Sequence, residues 1–253
     1  PPALGAVSDG GDAVLERTCI ELCCSPDSKI GSMSSASERC KRIRFTVRHD
    51  LTSPEGVALA INAVDVAQRT HRGRLLLWLA IPCTGGCPWH RINSLYPSAR
   101  LKIEKSQALF AKLWENCSRI AEHAMKTGGA LIAIEWPQQC SYWSDPLVLS
   151  FIERHGLKKA NFHGCMYGVK SENVHTLGVP MKKSWSIASN TPHLNSLLNK
   201  CCDKSHEHAI VRGNDAKRSE NYTDEIVQKI HVAFKEYSLG KRVSVGAPCL
   251  EPG

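Results

Sequence analysis

The sequence predicts an α/β protein: a mainly parallel sheet with helices on both faces and a terminal antiparallel hairpin. Three observations predict it. Apolar runs of strand length alternate with stretches of helical period four or five times along the chain. Helix-start residues followed by proline, and glycines after the last apolar turn, bracket those stretches. Two late strand-like runs follow each other with no helix between them. Parallel neighbours need a crossover of a dozen or more residues, usually helical, so this pair reads as antiparallel.

Each element can be justified in order. Thr18 to Cys24 is a β-type run that ends in the small-residue turn Ser25 to Gly31, and Ser32 to Cys40 reads as a short helix. Arg42 to Val47 is the second strand. Thr52 or Ser53 then caps a helix with Pro54 at its first position and Glu55 in its first turn. Leu75 to Ile81 is a continuous apolar strand that runs into Pro82-Cys83-Thr84-Gly85-Gly86. Residues 91–105 are irregular in polarity. From about Ile103 to Lys126, Leu109, Phe110, Leu113, Trp114, Cys117, Ile120, Ala121 and Ala124 form one helical stripe, stopped at Gly128-Gly129. Ala130 to Ile134 is a strand ending at Glu135, and a helix from about Asp145 to His155 ends at Gly156. Strands over 159–168 and 184–189 form the hairpin. A short helix at 192–198, a Cys/His segment, a charged loop over 212–221 and a last helix from Thr223 to about Tyr237 complete the chain. The expected organisation is a flexible lead-in (1–17), the α/β domain (18–195), a Cys/His loop and helix packed on it (196–238) and a flexible tail (239–253).

Bulk properties narrow the function. The 253 residues carry a formal charge of +8, which favours a polyanionic partner, DNA or RNA, over a basic one. No apolar run approaches the ~20 residues of a membrane span, so no membrane partner is expected. Twelve cysteines lie beside hydrophobic runs rather than in the pattern of a small secreted scaffold. With no signal-peptide pattern at the start, the expectation is an intracellular protein, nuclear or cytoplasmic, forming part of a longer polypeptide.

In open α/β sheets, chemistry sits past the carboxyl ends of the strands. Cys83 stands there, as a nucleophile if His90, Arg91 or the Gly85 and Gly86 amides help it ionise, or as a buried structural thiol. Glu135 ends the next strand, where a carboxylate can hold a base. Glu21 and Asp27 flank the first loop, and Asp50 either contacts a cofactor or starts a helix. Trp89, Trp136, Tyr142 and Trp143 suit either base stacking or core packing. Arginine-rich stretches at 39–48 and 69–74 suit phosphates or a solvated face. Cys202, His206 and His208, beside Cys201, carry metal-ligand chemistry, with Cys140, His163, Cys165 or His175 as a fourth ligand; a structural zinc is the expectation. No phosphate-binding glycine motif is present, which argues against NAD and ATP.

These strand ends, with the closing hairpin, make the chain resemble the Rossmann-like class I S-adenosylmethionine-dependent methyltransferases, and in motif order the cytosine C5 DNA methyltransferases. The resemblance implies a cofactor loop at Ile20 to Asp27, with Glu21, Cys23, Ser25 and Asp27 as contacts. It places further cofactor contacts at Asp50, Leu51 and Pro82. It implies a Pro82-Cys83 element whose thiolate attacks the pyrimidine, and a base-holding Glu135. The family's glycine-rich loop is replaced here by Cys-Cys-Ser-Pro-Asp-Ser, Trp136 stands where Asn is expected, and the Gln-x-Arg-x-Arg element and a large target-recognition region are absent. The expected activity is therefore methyl transfer from S-adenosylmethionine to a nucleic-acid base, with Cys83 and Glu135 as catalytic residues. The alternatives are an amine-methylating loop at Ile81-Pro82-Cys83, a non-catalytic nucleic-acid-binding domain, another cysteine-dependent enzyme, and a metal-dependent nuclease using Glu21, Asp50 and Glu135.

Overall fold

The computed structural model describes residues 16–31, 39–88 and 90–240. Six strands, β1 (Arg17–Leu22), β2 (Cys40–Phe45), β3 (Leu75–Leu79), β4 (Leu131–Pro137), β5 (Lys158–His163) and β6 (Ser184–Ser189), form one mixed sheet in the order β2-β1-β3-β4-β6-β5. The first four are mutually parallel, while β6 runs antiparallel to both neighbours, β4 and β5. The expected hairpin is present, and its second strand lies inside the sheet, between β4 and β5.

Alternation along the strands divides the interior in two. Ile20, Leu22, Leu75, Leu77, Leu79, Ile132 and Ile134 face a core shared with α1 (Pro54–Thr70), the long helix α3 (Pro97–Gly128) and α4 (Pro146–Arg154). Cys19, Leu76, Trp78, Leu131, Ala133 and Ile187 face the other core, closed by α5 (Pro192–Leu197) and α7 (Asp224–Ser238). Because β3 and β4 are covered on both sides, residues 75–79 and 131–134 are unbroken apolar runs, whereas β1, equally buried, carries Arg17, Thr18 and Glu21. The caps follow the sequence. Ser53 Oγ accepts from Gly56 N (3.0 Å), Asp145 Oδ1 from Leu147 N (2.9 Å), and Thr223 Oγ1 from Ile226 N (3.3 Å).

Several boundaries differ from expectation. The segment 91–105 is largely helical: α2 (His90–Asn93) precedes α3, which begins at Pro97 rather than near Ile103. The first turns of α3 face solvent and carry no apolar stripe; Pro97 at the start and an Arg100–Glu104 pair (2.9 Å) support them instead. The strand expected over 159–168 ends at His163, and a 3-10 turn (Gly164–Tyr167) follows. Part of the charged loop is α6 (Gly213–Arg218). Its Asp215 is buried and accepts from Ser171 Oγ (2.5 Å) and Glu172 N (3.1 Å). Residues 32–38, where a short helix was expected, lie outside the described residues, as do most of the lead-in and the tail beyond residue 240; β2 already begins at Cys40.

Candidate active-site cleft and Cys/His cluster

A cleft of about 750 Å³ opens at the carboxyl ends of β1, β3 and β4. All nine residues singled out on the catalytic and cofactor side line it: Glu21, Cys23, Ser25, Asp27, Asp50, Leu51, Pro82, Cys83 and Glu135. They come from four separate strand ends. The strand register explains the convergence. Glu21 pairs with Trp78 across β1 and β3, and Trp78 with Ala133 across β3 and β4. Glu135, two residues on, lies on the same sheet face. Two carboxylates therefore flank Trp78 on the face that α7 closes.

Glu21 is 1% exposed, and burial raises its pKa. Its Oε2 accepts from Ser28 Oγ (2.5 Å), and Arg44 Nε lies 3.6 Å from Oε1. Arg44 also donates to Pro26 O (3.1 Å) and Ser28 O (2.5 Å), so this member of the arginine-rich stretch turns inward and ties down the first loop. Within that loop Cys23 takes φ 61°, a conformation in which glycine is the usual residue. Its sulfur packs 3.8 Å from Cys117 Sγ of α3. Ser25 donates to Asp27, whose carboxylate is exposed at the rim. Asp50 also sits in the left-handed region (φ 36°). Its Oδ1 accepts from Thr52 N (3.1 Å) and Oγ1 (2.6 Å), so this carboxylate also builds the turn that starts α1.

Glu135 is the most perturbed acid of the cleft. Burial pushes its pKa up to about 7, although a hydrogen bond from Tyr222 and the nearby Lys183 ammonium oppose the shift. Tyr222 donates to Oε2, while Oε1 is buried without a hydrogen-bond partner. Lys183 lies over the Trp185 ring (5.1 Å to its centre) and donates to Ser219 O (2.5 Å). Lys183, Trp185 and Tyr222 also line the cleft, although the sequence offers none of them as a site residue; Lys183 and Trp185 fall in Pro180 to Trp185, a distant echo of the Gln-x-Arg-x-Arg element. Lys183 and Trp185 stand at the inward end of β6, and Tyr222 follows α6, a helix that the charge pattern had hidden.

Cys83 sits less well for nucleophilic attack than its sequence context suggests. Burial first, then the Glu135 charge, push its thiol up to about 11, with Lys183 pulling the other way. Two of the expected helpers are engaged elsewhere. The Gly86 amide donates to Cys83 O (2.9 Å), and His90 Nδ1 reaches Gly85 O (3.1 Å). The Thr-Gly-Gly turn is packed rather than open: a Cβ on Gly85 would stand 2.1 Å from Tyr142 Oη, and one on Gly86 2.6 Å from Cys140 Sγ. Trp136, Tyr142 and Trp143 belong to the aromatic core. Tyr142 stacks on Phe110 (3.4 Å between ring centres), and Trp136 Nε1 donates to Ile81 O (2.7 Å). Trp136 also borders the cleft, whereas Trp89 lies outside the described residues.

The second constellation lies beyond β5. Cys165, Cys202, His206 and His208 bring one donor atom each within 4.8 Å of one another, a group that could hold a metal ion. Cys202 Sγ is 3.6 Å from His206 Nε2 and 3.4 Å from His208 Nε2. Of the four candidates for a fourth ligand, Cys165 is the one in place. His163 instead accepts from Cys202 N through Nδ1 (2.8 Å), His175 is exposed, and Cys140 lies in the core on the opposite face. Cys201 turns its sulfur toward Asn161 O (4.0 Å). Among the described residues no other set of three or more such ligands converges, so Glu21, Asp50 and Glu135 do not form the metal centre that a nuclease reading requires.

These features define a mixed α/β protein with an acid-floored cleft at its parallel strand ends and a separate Cys/His cluster. No protein-family model matches the chain, and no curated protein sequence is significantly similar to it.

Proposed function

We propose that the protein transfers a methyl group from S-adenosylmethionine to a nucleic-acid base bound in this cleft, on a Rossmann-like sheet. One observation carries the reading: nine residues chosen from four separate motifs line a single cleft at the strand ends. The residues also fit the cofactor chemically. S-adenosylmethionine carries a sulfonium and an ammonium group and supplies an electrophilic methyl. The cleft floor offers Glu21, buried beside Arg44, and a buried Glu135 oxygen with no hydrogen-bond partner among the described residues. Glu21 and Ser25 would hold the amino acid part. Asp50 and Leu51 would border the adenosine.

Glu135 would grip the base. A carboxyl that titrates at about 7 is half protonated at neutral pH and can share its proton with a ring nitrogen or accept one from an amine. In the cytosine C5 route, the Cys83 thiol would give its proton to a base and its sulfur would add to C6; C5 would then take the methyl from the sulfonium, releasing S-adenosylhomocysteine, and loss of the C5 proton with elimination of the thiolate from C6 would restore Cys83. The thiol held at about 11 favours a second route, in which Pro82 and Cys83 position an exocyclic amine that attacks the methyl directly. The chain's net charge of +8, with Lys29, Lys217 and Arg218 at the cleft, supports a nucleic-acid substrate. The same reading gives the Cys/His cluster a zinc ion, because mixed thiolate and imidazole ligands suit zinc.

The test is calorimetry of the purified chain with S-adenosylmethionine, followed by labelled-methyl transfer to DNA and RNA oligonucleotides. Binding at micromolar to millimolar ligand and label in the base are expected; no binding at millimolar ligand sinks the proposal. Nucleic-acid binding without cofactor binding would move the protein to the non-catalytic class. Cys83→Ala separates the routes: it abolishes C5 transfer and spares amine transfer.

A further inference from the structure

We propose that the zinc assigned to Cys165, Cys202, His206 and His208 is a structural clasp that holds the wall carrying Lys183 and Tyr222 against Glu135; the inference rests on the zinc reading above. The four donors come from two segments far apart in sequence, the 3-10 turn after β5 and the loop that follows α5. Zinc with Zn–S near 2.3 Å and Zn–N near 2.0–2.1 Å in a tetrahedron sets sulfur and nitrogen about 3.5 Å apart. The two separations at Cys202 Sγ, 3.6 and 3.4 Å, match that edge without movement. The Cys202 sulfur is already supported from behind. Lys204 takes φ 66°, which turns its amide onto Cys202 Sγ (3.3 Å), and Cys202 N is held by His163 Nδ1 (2.8 Å). Backbone donors of this kind orient a ligand and stabilise a thiolate.

Every ligand segment is also stitched to the cleft wall. Beside Cys165, Gly164 N donates to Lys183 O (2.8 Å), and two residues on Tyr167 O accepts from Thr223 Oγ1 (2.6 Å), next to Tyr222. Beside His208, Ala209 N donates to Pro180 O (2.9 Å), three residues before Lys183. Lys183 in turn reaches Ser219 O (2.5 Å), on the segment that delivers Tyr222. Joining Cys165 to the 202–208 loop thus fixes both anchors of the two side chains that face Glu135. Little regular secondary structure spans 168–183 or 198–212, so the ion supplies order that a core does not.

The experiment uses the whole chain: metal analysis, cobalt substitution, and amide hydrogen exchange with and without a chelator, alongside Cys165→Ala. One zinc per chain and the visible spectrum of a tetrahedral cobalt–thiolate centre are expected. Chelation should speed exchange at Gly164, Ala209 and Met181, whose amide donates to Val169 O (3.0 Å), by about tenfold or more, leave β1 and β3 unchanged, and reverse on adding zinc back. Cys165→Ala should reproduce that pattern. A chain that binds no zinc overturns both this inference and the zinc reading. One zinc with unchanged exchange at those amides overturns the clasp alone. Loss of protection throughout β1, β3 and β4 also overturns it, since the ion would then hold the whole sheet.

Discussion

Replacing Glu135 by glutamine removes a buried charge while keeping the side chain's shape and an oxygen for Tyr222. Its effect on stability must therefore depend on pH. In the folded protein Glu135 titrates at about 7, against an ordinary 4.5. Between those values the folded state holds more protons than the unfolded one. Unfolding free energy therefore falls as pH rises through the window, by roughly 3 kcal/mol in all at 1.36 kcal/mol per unit. Below the window both states are protonated and the burial costs nothing; above it both are ionised and the full cost is present. Glutamine has no such dependence. Denaturant unfolding from pH 4.5 to 8 should show Glu135→Gln gaining about 3 kcal/mol on the parent as pH rises. In melting temperature, between pH 5 and 8, this is roughly 5–10 °C for a chain of this size. Parallel pH profiles, with a difference constant to within about 0.5 kcal/mol, would refute the buried, protonatable carboxylate and with it Glu135 as the group that shares a proton with a base.

Other outcomes follow from the same geometry. Cys83 should alkylate slowly at pH 8, with about a thousandth of it as thiolate at a pKa of about 11. Lys183→Met should slow alkylation further and Glu135→Gln should speed it, because the two charges pull the thiol in opposite directions; mass spectrometry of the labelled peptide reads both. Gly85→Ala should cost about 1–3 kcal/mol in denaturant unfolding, since its Cβ would stand 2.1 Å from Tyr142 Oη and 2.9 Å from Gln107 N. Ser28→Ala strips Glu21 Oε2 of its donor and should cost about 1–3 kcal/mol at pH 8 and less at acid pH, where burial already favours the protonated carboxyl.

Much of the architecture was legible in the sequence because it depends on local chemistry. The apolar runs at 75–79 and 131–134 are strands buried on both faces, and the Ser53 and Asp145 caps start helices where the sequence says they do. Helix start and stop residues act within one turn, and strand burial marks every residue of the run. Where burial writes no period, the reading failed. The solvent-facing turns of α3 and the charged helix α6 look like loops because nothing apolar repeats in them.

The candidate site divides the same way. Strand ends are sequence features, and the convergence of Glu21, Asp50, Cys83 and Glu135 on one cleft follows once parallel strands lie side by side. Charge state is not a sequence feature. Pro82-Cys83 before Thr-Gly-Gly suggests a reactive thiol, but burial against the core and the nearness of Glu135 hold it protonated. Only the tertiary structure brings Lys183 and Tyr222 to Glu135, since they stand 48 and 87 residues away in sequence. Likewise only the fold selects Cys165 over Cys140, His163 and His175. The sequence by itself determined which strands exist and what their ends carry, because those depend on the nearest few side chains. The structure decided the partners and protonation of those ends, because burial and Coulomb interaction act through space rather than along the chain.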